Sequence, residues 1–453
     1  MLKRNIAAHL ERWKSSQDRR VLLLRGAKQV GKTSSVRELA RSSFTSLVEI
    51  NFLETPEAGD FFKGGNLSPT TIIEKLRIYR NTSITPGETL LFFDEIQECP
   101  EALTALRFFH EQAPELHVVA AGSLLEFALK DLPSFGVGRI ESLFMYPLSF
   151  EEFSLALTGE EFCAALRNAS LDNPLEDVFH RKALDLLKLY CMVGGLPKVV
   201  QRYCDSRDLQ QCLPLLEELV LGYEDDFAKY GTRINSEKLR ATLRAVAQQA
   251  GNKFVYSRIN PGTKSSGYEQ AIELLSQAGL IYKISRSSAN SIPLGAEVDP
   301  RSFKCIPFDT GIYNRLLGLS LSDLLLDDAV SFSNRAAFAE LVCGLELVAH
   351  SRANLKPALY YWHREAPSSS AEVDYVVQRG TEIIPVEVKA GTKGRMQSLY
   401  RFVAEKQASY GVRTSLENFS RLSANVGDKT INVDVIPLYA ISGLGAPARY
   451  PSS

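Results

Sequence analysis

The sequence predicts an α/β fold divided into several domains, and three observations carry that expectation. Short apolar runs alternate with helical patterns over the first third of the chain. A glycine-rich turn of the form GxxxxGK[ST] lies between one such run and the helical pattern that follows it. After residue 331 a long helical pattern leads into a second series of strand-like runs. Strands that alternate with helices imply a parallel sheet covered on both faces. A chain of 453 residues exceeds one ordinary hydrophobic core, so roughly two to four domains are expected.

The elements follow in order. Candidate strands are Val21–Arg25, Leu47–Phe52, Leu90–Asp94, His117–Ala121 and Ser142–Met145, with helical patterns such as Thr33–Ser42 and Pro69–Tyr79 between them. Residues 1–148 therefore read as a parallel-sheet domain. From Ser149 to Tyr230 the pattern is helical, broken only at Gly194-Gly195-Leu196-Pro197, and residues 149–230 read as a helical lid. Residues 231–310 carry helical stretches at Glu237–Gln249 and Gly267–Gln277, a strand-like Leu280–Ile284 and a polar Ser/Asn stretch. Two helices and a strand pair in so short a span suggest a winged helix. Residues 331–445 contain a helix at Ala336–Ser351 and strands at Ala358–Trp362, Glu372–Gln378 and Glu382–Lys389. Another helix and a strand near Ile431–Pro437 complete a second α/β domain. No internal repeat or long low-complexity segment interrupts the chain.

Composition narrows the classes. Apolar residues make up 45% and charged residues 23%, as in soluble globular proteins. The net charge is −1, from 52 basic and 53 acidic residues, so nucleic acid would have to be held by a local basic patch. The start, MLKRNIAAHLERW, is amphipathic and lacks the apolar core of a signal peptide. No apolar run is long enough to span a bilayer, and no membrane partner is expected. Seven cysteines are scattered without a CxxC pair, which argues against zinc and disulfides and suits a reducing cytoplasm.

The glycine-rich turn carries the first functional chemistry. In VLLLRGAKQVGKTSSV, Gly26 and Gly31 let the backbone turn tightly and aim its N–H groups at phosphate oxygens. The candidate ligands of a nucleoside triphosphate, ATP, are Gly26, Ala27, Lys28, Gln29, Val30, Gly31, Lys32, Thr33 and Ser34. The helix beginning near Lys32 adds its positive N-terminal end. Lys32 is expected to reach the β- and γ-phosphates and Thr33 to ligate Mg²⁺. The apolar strand LLFF ends in Asp94 and Glu95. Asp94 is the expected partner of Mg²⁺, and Glu95 the expected base for the attacking water. The next strand ends at Gly122-Ser123, which places Ser123 as a γ-phosphate sensor, a helix N-cap, or both. Arg139, after Phe135-Gly136-Val137-Gly138, is either a cation for transition-state charge, in cis or from a neighbouring subunit, or a structural ion pair.

Taken together, these motifs resemble a large bacterial and archaeal family of AAA-type P-loop ATPases with a C-terminal domain of unknown function. The resemblance spans nearly the whole chain. It rests on Gly26–Thr33, on LLFFDEIQ at 90–97, on GSLL at 122–125 and on GRIESLFMYPLSFEEF at 138–153. It continues through GGLP at 194–197, FDTGIYN at 308–314, and AEVDYVV with IIPVEVKA at 371–390. It implies an ATPase core of the additional-strand type, a helical lid, a winged helix and a C-terminal fold like PD-(D/E)XK nucleases.

The C-terminal acids support a reading of their own. Glu387 and Lys389 lie two apart on one strand and so share a face. A hairpin turn around Arg379-Gly380 brings Asp374 near Glu387. Two converging carboxylates call for a cation, and Mg²⁺ is a hard ion held by oxygen. Lys389 is placed to orient a water, and Glu340 to add a further acid. The set matches the metal-dependent nuclease pattern of Glu, Asp and Glu-x-Lys, although Ala371-Glu372-Val373 before Asp374 lacks the proline. The competing reading is a solvated salt-bridged face. Asn252–Arg258 and Lys264 surround the second helix of the expected winged helix, which admits a DNA or RNA partner. The few basic residues suit a packing or subunit-contact module instead.

The expected function is a cytoplasmic ATPase, with a homo-oligomer allowed for, whose nucleotide state is coupled to a nuclease-like domain. The alternative is a nucleotide-dependent switch whose C-terminal domain only binds a partner.

Overall fold

The amphipathic start folds as α1 (Ile6–Ser15), burying Ile6, Leu10 and Trp13 on one face. The computed structural model describes residues 2–64, 67–130, 138–229, 234–261, 267–319, 332–366, 369–391, 395–426 and 429–445. The chain divides into two units, one of Lys3–Tyr146 with Ala353–Lys356, the other of Met1–Leu2, Pro147–Arg352 and Pro357–Ser453.

In the first unit, α1 is followed by β1 (Val21–Arg25), α2 (Lys32–Ser43), β2 (Ser46–Asn51) and α3 (Pro69–Arg80). Next come β3 (Thr89–Asp94), α4 (Pro100–Gln112), β4 (His117–Ala121), α5 (Leu125–Lys130) and β5 (Ile140–Phe144). The strands form one sheet in the order β2-β3-β4-β1-β5, and every pairing is parallel. Strand β4 lies between β1 and β3, so the strand before the glycine-rich turn and the strand ending in Asp94 are not neighbours. Strands β3 and β4 are buried along their whole length, which explains why they read as continuous apolar runs. Phe92 and Phe93 are both fully buried although neighbours on a strand face opposite ways, so helices cover both sides. Phe93 packs with Phe52, Phe62 and Phe109, and truncating it to Ala should cost about 3–5 kcal/mol.

The second unit opens with five helices: α6 (Phe150–Thr158), α7 (Glu160–Asn168), α8 (Asp177–Val193), α9 (Pro197–Ser206) and α10 (Leu213–Asp226). A capping box of Ser149 and Glu152 starts α6. Gly194, with φ of 78°, ends α8. A Cβ there would overlap the Asp309 carboxylate. Asp309 accepts from the N–H groups of Gly195 (2.7 Å) and Ile312 (3.0 Å). Burial pushes its carboxyl up to about 6 against those backbone bonds. GGLP and FDTG are thus two halves of one joint.

The unit continues with α11 (Ser236–Gln248), α12 (Tyr268–Gln277), β6 (Ile281–Ser287), β7 (Val298–Pro307), α13 (Thr310–Leu316) and α14 (Phe332–Ala349). Then come β8 (Leu359–Ala366), β9 (Ser369–Arg379), β10 (Glu382–Val388), α15 (Gln397–Lys406), β11 (Gly411–Ser415), β12 (Ser420–Val426), β13 (Lys429–Pro437) and α16 (Ser442–Gly445). The strands form an eight-stranded mixed sheet in the order β12-β13-β11-β10-β9-β8-β6-β7. The strand pair expected for a wing is β6 and β7, and it is one margin of this sheet. After pairing with β7, β6 still has one open edge of N–H and C=O groups, and β8 satisfies it in parallel. The expected boundary between 231–310 and 331–445 is therefore crossed by one sheet.

Candidate functional site

The phosphate-type loop is shaped by its neighbours. Gly26 has φ of 144°, and a Cβ on it would overlap the backbone oxygen of Met145. Gln29 and Gly31 also have positive φ, 65° and 98°. Helix α2 begins at Lys32 without a side-chain cap, which leaves its first N–H groups for an anion. The buried Lys32 ammonium donates to the carbonyls of Gly26 (2.9 Å) and Ala27 (2.8 Å). Burial lowers its pKa to about 8, against the attraction of Glu95 and Asp94. The Thr33 hydroxyl donates to Asp94 Oδ2 at 2.7 Å. Burial raises the Asp94 carboxyl, the Thr33 bond opposing.

Glu95 has φ of 49° and ψ of 44°, a left-handed conformation that costs a non-glycine residue roughly 1–3 kcal/mol. Its Oε2 accepts from the Gln97 amide (2.6 Å) and the Ser123 hydroxyl (3.4 Å). The structure thus brings together Lys32, Thr33, Asp94, Glu95 and Ser123, all at the C-terminal ends of parallel strands or the start of the next helix. Gln97 is the member that spacing alone did not single out.

The second cluster lies on the mixed sheet. Strands β9 and β10 pair antiparallel as far as Val386 opposite Tyr375, and Asp374 and Glu387 are the residues just beyond that pair on the two strands. Asp374 Oδ2 accepts from Val388 N–H at 2.8 Å, and Lys389 donates to Glu387 Oε1 at 2.6 Å. Lys304 on β7 is fully buried between Glu340 (3.2 Å) and Glu372 (2.6 Å). Burial opposes the Lys304 charge, but Glu340, Asp374 and Glu372 outweigh it and hold the ammonium above its usual range. Burial, followed by the mutual repulsion with Asp374, raises the carboxyls of Glu340 and Glu387. Burial also raises Asp374. Glu387 Oε2 is buried without a hydrogen-bond partner. Among the described residues no group of three or more His, Cys, Asp or Glu side chains is arranged to hold a metal ion. Asp374 and Glu387 remain as a two-carboxylate oxygen set, which is of the kind Mg²⁺ accepts with water completing its shell.

Residues 18–154 match the family profile described as an AAA domain. The first unit contains a P-loop ATPase domain. Residues 184–323 and 335–441 match two domains of unknown function, DUF8612 and DUF4143. Among solved structures, a Walker-type ATPase of Pyrococcus abyssi is similar at 16% identity and a TM-score of 0.43, covering 70% of this chain and 96% of that one. A variant of RuvB from Thermotoga maritima is similar at 18% identity and a TM-score of 0.29, covering 70% and 95%. No curated protein matches the chain.

Two readings that the sequence leaves open concern Arg139 and the segment Asn252–Arg258. Arg139 is not brought to the phosphate loop. It precedes β5, whose first residue Ile140 pairs with Val21 at the start of β1, and it pairs with Glu111 near the end of α4. The full length of β1, about 16 Å at 3.3 Å per residue, separates it from Gly26. The segment 135–137 before it lies outside the described residues. Within Asn252–Arg258, Phe254 is buried and stacks on Phe303 with ring centroids 5.9 Å apart, while Lys253 and Arg258 are exposed. Lys264 lies outside the described residues. Lys304 is a member of the acidic cluster that sequence reading missed; its only signal is a lone lysine inside an apolar run, FKCIPF. The seven cysteines are free, and among the described residues no helix is long and apolar enough to cross a membrane.

Proposed function

We propose that the P-loop domain hydrolyses ATP by in-line attack of water on the γ-phosphate. The observation that carries this reading is the 2.7 Å contact between Thr33 and Asp94, which joins the phosphate-loop helix to the acid-tipped strand across the intervening β4. The two oxygens form a hard donor set that suits Mg²⁺. Bound there with the nucleotide, Mg²⁺ would neutralise charge on the β- and γ-phosphates. The N–H groups of Gly26 through Ser34 would cradle the phosphates. Lys32 would exchange its two loop carbonyls for phosphate oxygens. Glu95 would take the proton from the attacking water, and Ser123 would lie beside the γ-phosphate. Glu95→Gln tests this assignment, because it keeps size but removes the base. ATP binding should persist by titration calorimetry while phosphate release falls about 100-fold or more. Turnover at the wild-type rate in that variant would remove Glu95 from the mechanism.

The acidic cluster favours a second, metal-dependent activity on nucleic acid, and the buried, unpartnered Glu387 Oε2 supports it. A divalent cation there would supply Lewis-acid chemistry at a phosphodiester. Asp374 and Glu387 would hold it, Lys389 would orient water, and Glu340 would add a further acid. If the site takes no metal, the chain is better read as a nucleotide-dependent switch with a partner-binding C-terminal domain.

A further inference from the structure

We infer that Gln97 is a positioning residue for ATP hydrolysis: with Ser123 it holds one oxygen of the Glu95 carboxylate and so turns the other toward the attacking water. The inference rests on the assignment of Glu95 as the base.

The geometry begins in the backbone. Glu95 adopts its left-handed conformation, and a short 3-10 turn at Ile96–Glu98 follows. Ile96 is fully buried and anchors that turn. The turn folds Gln97 back, and its Nε2 donates to Glu95 Oε2 at 2.6 Å. Ser123, at the end of β4, donates to the same oxygen at 3.4 Å. Both donors therefore converge on Oε2, and among the described residues Oε1 has no side-chain donor.

The amide orientation has one electrostatic solution. Turned over, its carbonyl oxygen would face a carboxylate oxygen. In the orientation adopted, Gln97 Oε1 is buried without a partner, and an orphaned buried acceptor is destabilising. An apolar side chain of similar size would avoid that cost but would leave Glu95 Oε2 with the 3.4 Å Ser123 contact alone. The neighbouring strand end is shaped to admit it: a Cβ on Gly122 would overlap Gln97 Oε1 and the Leu125 side chain. Gly122, Ser123 and Gln97 thus form one device around Glu95, which accounts for both the DEIQ and the GSLL segments.

Fixing one carboxylate oxygen matters because a base acts only from a narrow range of positions and a loose one spends little time there. Gln97→Ala should lower kcat about tenfold while the affinity for ATP, read by titration, and the melting temperature stay near wild type. Ser123→Ala should give a smaller loss. The double variant should lose more than the product of the two single losses, because each donor partly substitutes for the other on Oε2. A steric block from the other side, Gly122→Ala, should reproduce the kcat loss. Glu95→Gln is measured in parallel. If Glu95→Gln keeps turnover, the base assignment has failed. If Glu95→Gln is inactive while Gln97→Ala keeps kcat within twofold, or loses kcat, affinity and melting temperature together, the positioning role is overturned and the assignment of Glu95 stands.

Discussion

Lys32 is buried and still charged near neutrality, and two carbonyls of its own loop hold it. Its pKa, lowered to about 8 by burial, gives the free protein a titration just above neutral pH. As pH rises through 8 the ammonium is lost before ATP arrives, so binding must first recover a proton. The apparent affinity for ATP should therefore fall above pH 8, and Lys32→Ala should flatten that dependence while weakening binding and abolishing turnover. Calorimetric titrations between pH 7 and about pH 9, with turnover measured alongside, check both parts; a variant that hydrolyses ATP at the wild-type rate would remove the loop from the chemistry. Lys32, Thr33, Asp94 and Glu95 were legible in the sequence because a strand, a tight turn and a helix leave few places for residues at that spacing. Gln97 was not, because its role depends on the left-handed Glu95 and the turn that folds it back. No residue pattern announces that reversal.

At the level of elements, direction along a strand decides where a residue can act. In a parallel sheet the ligand-binding loops leave the C-terminal ends of the strands. Asp94 and Ser123 follow or end strands, whereas Arg139 precedes one, and its partner Glu111 lies near the end of α4. Both side chains are partly exposed, so the pair contributes about 0–1 kcal/mol. Arg139→Ala should accordingly leave turnover within about twofold in dilute protein and shift melting only slightly. A fall in turnover that is restored by mixing with Glu95→Gln protein would assign the arginine to a neighbouring subunit instead. The apolar strands β1, β3 and β4 were readable because both faces are covered. Strand β11 was not: Arg413, Thr414 and Ser415 are buried, and a polar sequence conceals a central strand. Strand β12 was hidden for the opposite reason, since it is an exposed margin with little apolar alternation. The β6–β7 pair was located in part, but sequence order could not reveal that β8 joins it.

For the molecule as a whole, two polar centres lie in separate units, so each can be removed while the other is measured. The acidic cluster sets four carboxylates, Glu340, Glu372, Asp374 and Glu387, against the ammonium groups of Lys304 and Lys389. Burial and mutual repulsion raise Glu340 and Glu387, so in the metal-free protein the ionised cluster opposes folding. A carboxyl whose folded pKa is raised favours the folded state below its unfolded value, and that contribution is lost as pH rises through the folded value. A divalent cation bound by Asp374 and Glu387 would reverse the loss at neutral pH, because it stabilises the ionised acids in the folded state alone. Melting of the wild type should therefore rise with Mg²⁺ or Mn²⁺, by about 2.7 kcal/mol of stability at a hundredfold excess over the dissociation constant. Asp374→Ala should abolish that rise and any phosphodiester cleavage, yet leave ATP hydrolysis intact. In the absence of metal the variant should melt at or above the wild-type temperature, since one of several crowded charges is gone. A salt-bridged face predicts otherwise: Asp374→Ala would melt lower, and metal would change neither protein. ATP is left out of the melts, because Mg²⁺ bound with nucleotide at Thr33 and Asp94 would stabilise the other unit and mask the response. An equal response of both proteins to metal would place the cation elsewhere and leave the mixed-sheet domain as a partner-binding platform.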